Sequence, residues 1–71
     1  MIKKQVECLA VYRDVKGGCP AILLVNRNGV KERVRTSKVE KFFFRTAGQL
    51  DIKIETKNTV YVGYNIEIIN D

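Results

Sequence analysis

The sequence predicts a mainly β fold: a small curved antiparallel sheet or open barrel of about five strands, with one short helix after the third strand closing its mouth. Three observations predict it. Leu50 to Glu55 and Val60 to Ile68 alternate apolar and polar side chains at a period of two, the pattern of strands with one buried face. Ala21-Ile22-Leu23-Leu24-Val25 is an unbroken apolar run that leads to Asn28-Gly29, the strongest short hairpin signal in the chain. Ser37 is followed three positions later by Glu40, the spacing of a capping box at a helix start.

Taken in order, Val6 to Tyr12 reads as a first strand with Val6, Cys8, Ala10 and Tyr12 on one face and Glu7, Leu9 and Val11 on the other. Apolar groups on both faces place it centrally or under cover on two sides. Arg13 to Gly18 is a loop, and its two glycines lack the spacing and following helix of a phosphate cradle. Pro20 starts the second strand, where a missing N–H does least harm. The returning strand, Val30 to Arg35, segregates its side chains: Val30, Glu32 and Val34 on one face, Lys31, Arg33 and Arg35 on the other.

Val39, Phe42, Phe43 and Thr46 fall at helical spacing with Gly48 placed as a terminator, which predicts a helix over 38–46. The competing reading is a strand, because Phe42-Phe43-Phe44 has high β propensity and Ala47-Gly48 fits a hairpin turn. For the last hairpin, a two-residue loop at Lys57-Asn58 sets Ile54 opposite Tyr61 and splits the apolar residues between faces. A three-residue loop, Thr56-Lys57-Asn58, pairs Ile54 with Val60, Ile52 with Val62 and Leu50 with Tyr64, with Asn58 left-handed, and is the register expected. Asn70 and Asp71 are expected to fray.

A chain of 71 residues is one domain, 1–71, with little material for a deep cleft. At 45% hydrophobic and 30% charged residues it is ordinary globular, and no stretch has the roughly 18 apolar residues of a membrane span. Gln5 and Glu7 interrupt any export signal after Lys3 and Lys4, so a cytoplasmic location is expected. Cys8 and Cys19 lie too far apart along the expected first hairpin for a disulfide, and read as reduced thiols, Cys8 a small core filler.

Catalysis is not expected. The chain has no histidine, Ser37 is explained as a cap, and neither cysteine has a base to activate it. With two sulfur ligands, no histidine and no Cys-x-x-Cys, a zinc site within one chain would need carboxylates to complete it, so no metal and no cofactor are expected.

The net charge of +5 and pI near 9.5 favour a polyanion or an acidic protein surface as partner. Lys31, Arg33 and Arg35 form a row with intervals of about 7 Å. Continued by Lys38, Lys41 and Arg45, it could follow a phosphate backbone, with Tyr61 as an exposed stacking group opposite Lys53. The competing reading is a charged edge that prevents aggregation.

Thr36-Ser37-x-Val39, followed by Thr56-x-Asn58-Thr59-x-Tyr61, resembles a pattern in small uncharacterised proteins of phages and mobile elements of Gram-positive bacteria. The resemblance implies a protein that acts by adhering to a host component, including nucleic-acid-guided defences, with Thr36, Ser37 and Asn58 as turn and cap residues. The functional expectation is therefore a non-enzymatic binding protein for nucleic acid or a nucleic-acid-handling host complex. The alternatives are a host-defence inhibitor acting by protein contact and a homodimer built on the C-terminal strand.

Overall fold

A computed structural model describes residues 3–12, 15–46 and 48–69, and the expectation for Asn70 and Asp71 lies outside them. The described residues form seven strands and no helix: β1 (Lys4–Tyr12), β2 (Pro20–Arg27), β3 (Val30–Lys38), β4 (Lys41–Thr46), β5 (Leu50–Glu55), β6 (Thr59–Gly63) and β7 (Glu67–Ile69). They make one open sheet in the order β3-β2-β1-β6-β5-β4, with β7 also on β1. The mainly β expectation holds, but five strands and a helix become seven strands.

β1 is central, as its two apolar faces require. It pairs antiparallel with β2 on one side. On the other it pairs in parallel first with β6, Lys4–Glu7 against Thr59–Val62, and then with β7, Ala10–Tyr12 against Glu67–Ile69. The sheet is therefore mixed, not purely antiparallel. The β1–β2 register slips between Cys8 and Ala10, leaving Leu9 as the extra residue of a bulge. The bulge shifts the alternation, so Val11 joins Val6 and Cys8 in the core, opposite Leu23, while Ala10 and Tyr12 turn to the other face, Ala10 buried opposite Leu24 and Tyr12 half-exposed.

The β2–β3 turn is as expected: Asn28 and Gly29 both have positive φ, 54° and 83°, and Arg27 pairs with Val30. A second bulge opposes Thr36 and Ser37 to Ala21. There the buried Thr36 hydroxyl accepts the Ala21 N–H at 2.9 Å and donates to the Ser37 carbonyl at 2.7 Å. Ser37 is a strand residue and not a helix cap.

Residues 41–46 form a strand because each has a partner in β5, from Lys41 with Glu55 to Thr46 with Leu50. A helix would leave β5 with one neighbour only and forgo that ladder. β3 and β4 lie at opposite ends of the strand order, yet only Val39 and Glu40 separate them. Six strands laid flat are about 24 Å wide. The link from Lys38 to Lys41 spans at most about 11 Å, so the sheet has to curl. The corner is fastened at both sides. Val39 N–H donates to the Cys19 carbonyl (3.0 Å), Gly18 N–H to the Val39 carbonyl (2.8 Å), and Glu40 N–H to the Glu55 carbonyl (2.8 Å). Lys3 Nζ reaches Glu40 at 3.8 Å and Glu55 at 3.7 Å.

The β5–β6 register corrects the sequence expectation. Ile54 pairs with Tyr61, Lys53 with Val62 and Ile52 with Gly63, the two-residue-loop arrangement. Thr56 N–H closes the turn onto the Thr59 carbonyl at 2.9 Å, and Asn58 is not left-handed; Asn65 is, at φ 53°. Gly63 decides the parity. It faces the core, where a Cβ would stand 2.5 Å from the Cys8 carbonyl oxygen and from Ile66 Cγ2. A glycine there carries Tyr61 inward with it and turns Val60 and Val62, half-buried, to the other face. The core gathers Leu23 and Ile54, both fully buried, with Val11, Val25, Val39, Ile52 and Ile66 around them.

Candidate nucleic-acid interface

The cationic row on β3 exists as a structural unit. Lys31, Arg33 and Arg35 sit opposite Asn26, Leu24 and Ile22, and directly opposed residues of an antiparallel pair share a face. All three cations are exposed, over half-buried Leu24 and Ile22. The Arg33 guanidinium lies 4.8 Å from the Tyr12 ring centroid, a cation–π contact that reaches across β2. Among the described residues none of the three has an ion-pair partner. Glu32, their neighbour in sequence, belongs to the opposite face and pairs with Arg27 at 3.9 Å. Glu7, at the far end of the same face, accepts a hydrogen bond from the Asn26 amide at 2.9 Å.

Of the remaining site cations, Lys38 continues this row and the others do not. Lys38 is exposed beyond the Thr36–Ser37 bulge, opposite Pro20. Lys41 and Arg45 are on β4, at the other end of the strand order. Tyr61 is no stacking group: it is 7% exposed, packed in the core beside Ile54.

The aromatic groups that do face solvent are Phe43 (65% exposed) and Tyr64 (75%). Phe43 stands between Lys41 and Arg45 on one face of β4, opposite Lys53. A groove of about 460 Å³ there is lined by Lys41, Phe42, Phe43, Lys53 and Glu55, and an adjoining one of about 180 Å³ runs from Phe43 past Asp51 to Tyr64. The sequence signal for this site is Lys41-x-Phe43-x-Arg45, a period-two alternation that a helical reading of 38–46 conceals.

Burial pushes the Cys8 thiol up to about 11, while Cys19 is exposed, and both are free. Among the described residues no cluster of metal-ligating side chains occurs, and no helix is long and apolar enough to cross a membrane. Comparison with protein-family models, with curated proteins and with solved structures finds no match to this chain.

Proposed function

We propose that this protein is a non-enzymatic nucleic-acid-binding module that acts in a cytoplasm through the outer face of β3. One observation carries the reading: Lys31, Arg33 and Arg35 stand in a single row with no ion-pair partner among the described residues, and Tyr12 holds the middle guanidinium. A row at about 7 Å intervals matches successive phosphates of an extended strand, and unpaired cations release counterions on contact. Lys38 extends the charge beyond the bulge. Chemistry does not compete with binding in this reading, since the core thiol is held protonated and the chain has no histidine.

The test is fluorescence anisotropy of labelled single-stranded DNA, duplex DNA and RNA at several salt concentrations. Three phosphate contacts give a log–log salt slope of roughly −2 to −3. The Lys31→Ala/Arg33→Ala/Arg35→Ala variant is expected to lose that binding. Unchanged affinity in the variant overturns the reading.

A second reading, a phage-type inhibitor of a host defence complex that works by protein contact, draws on a different observation: Phe42, Phe43 and Phe44 are all exposed on one edge strand. Binding of a defined nucleic-acid-handling complex that survives the triple β3 variant would favour it.

A further inference from the structure

We infer that the free edge of β4 is a docking site for an extended acidic segment of a partner protein, which adds to the sheet as an eighth strand. The proposal is independent of the β3 reading. The two edges of this sheet are built differently. β3 carries Lys31, Glu32, Arg33 and Arg35 and is broken by a bulge, the devices that keep an edge from pairing. β4 has no bulge, and its two charges, Lys41 and Arg45, lie toward its ends. It runs in unbroken register with β5 over six pairs, every residue is exposed, and its centre is three consecutive phenylalanines. Among the described residues no strand pairs with its outer side, so a regular strand with an aromatic centre presents a backbone edge there, the template for strand addition.

The chemistry of the occupant follows from the side chains. On the inner face Phe42 and Phe44, 5.5 Å apart between ring centroids and beside Ile54 and Ile52, ask for apolar residues at alternate positions. On the outer face Lys41 and Arg45 flank Phe43 and ask for carboxylates. The neighbouring carboxylates do not satisfy them. Glu55 is engaged by Lys3 at 3.7 Å, and Asp51 accepts the Asn65 N–H at 3.1 Å and the Gln49 amide at 3.4 Å. Among the described residues Lys41, Arg45 and Lys53 form no ion pair. A segment alternating acidic and apolar residues therefore complements both faces at once.

Two other occupants fit less well. A second copy brings a further net charge of +5, and pairing about Phe43 would set Lys41 against Arg45 of that copy. A nucleic acid would meet the cations but leave the backbone edge and Phe42 and Phe44 unused.

The probes are two synthetic eight-residue peptides with isoleucine at alternate positions and either glutamate or lysine between them. They are titrated into the isotopically labelled full chain, with no nucleic acid, and followed by amide shifts and hydrogen exchange. The glutamate peptide is expected to bind at least tenfold more tightly than the lysine peptide and to protect amides of residues 41–46. Lys41→Glu/Arg45→Glu, two exposed substitutions, is expected to reverse the preference. Binding of neither peptide, shifts confined to β3, or an unaltered preference in the double variant overturns the proposal. So does β4 protection that rises with protein concentration alone, which assigns the edge to a second copy. An oligonucleotide, added in a separate titration, that displaces the bound glutamate peptide from β4 assigns the edge to nucleic acid and also overturns it.

Discussion

Gly63 packs against the Cys8 carbonyl so closely that no larger residue fits: a Cβ would sit 2.5 Å from that oxygen and 3.2 Å from Ile52 Cγ2. The contact ties β6 to the bulge in β1 and sets which face of β6 enters the core. Because the neighbour is backbone, a methyl group cannot be absorbed by a side-chain rotation. Gly63→Ala is expected to cost at least about 2 kcal/mol, within the usual range for overpacking. For a domain this size that lowers Tm by roughly 8–16 °C. Thermal unfolding followed by circular dichroism checks it; a variant as stable as the parent would mean that β1 and β6 sit further apart.

Thr36 supplies a second point of fixation. Its buried hydroxyl satisfies the Ala21 N–H, which the β3 bulge leaves without a ladder partner. Thr36→Val keeps shape and removes the acceptor, so an amide is buried unpaired at a cost of about 1–3 kcal/mol. Thr36→Ser keeps the hydroxyl and is expected to lose less than Thr36→Val. Urea denaturation of the three proteins gives the order, and a serine variant weaker than the valine one would contradict the hydrogen-bond account.

The two cysteines are expected to behave oppositely. With a thiol reagent at neutral pH, the native chain should present one reactive sulfur, Cys19, and a second only after denaturation. Cys8, buried and with its thiol raised from 9.0 to about 11, stays protonated in the fold where the unfolded chain ionises. Between these values the unfolded state binds fewer protons, so stability falls as pH rises. The contribution is complete below pH 9 and gone above 11, of order 2 kcal/mol in all. Measured between pH 8 and 11, Cys8→Ala should show a shallower decline than the parent; equal slopes would place the loss elsewhere.

These positions show what a sequence can carry by itself. Asn28-Gly29 and Pro20 are local instructions: positive φ and a missing donor act wherever the chain goes, and both elements fall where expected. The Ser37–Glu40 spacing is local too, but its helix lost to a ladder with β5 that no window around residue 40 contains. The β5–β6 register failed for a similar reason. Apolar alternation counts Val60 and Val62 as core residues, whereas the deciding contact is Gly63 against Cys8, 55 positions away in the chain. The β3 cations could be grouped because one strand holds them. Phe43 with Lys53 and Tyr64 could not, since three separate segments build that groove.

Arg33 and Tyr12 separate the charge from the geometry of the β3 face. In the proposed nucleic-acid complex, Arg33→Ala removes one phosphate contact, so the log–log salt slope should shrink by about 0.7 to 0.9 and affinity should fall. Tyr12→Leu leaves the charge in place but takes away the ring that the guanidinium faces at 4.8 Å, a contact worth about 0.5–1 kcal/mol at an exposed site. Its expected signature is a loss of two- to fivefold in affinity at unchanged salt slope. Arg33→Lys, with a compact ammonium in place of the planar fork, should resemble Tyr12→Leu more than Arg33→Ala. If Tyr12→Leu alters the slope as Arg33→Ala does, the ring acts by holding the strand in place and not by orienting the cation.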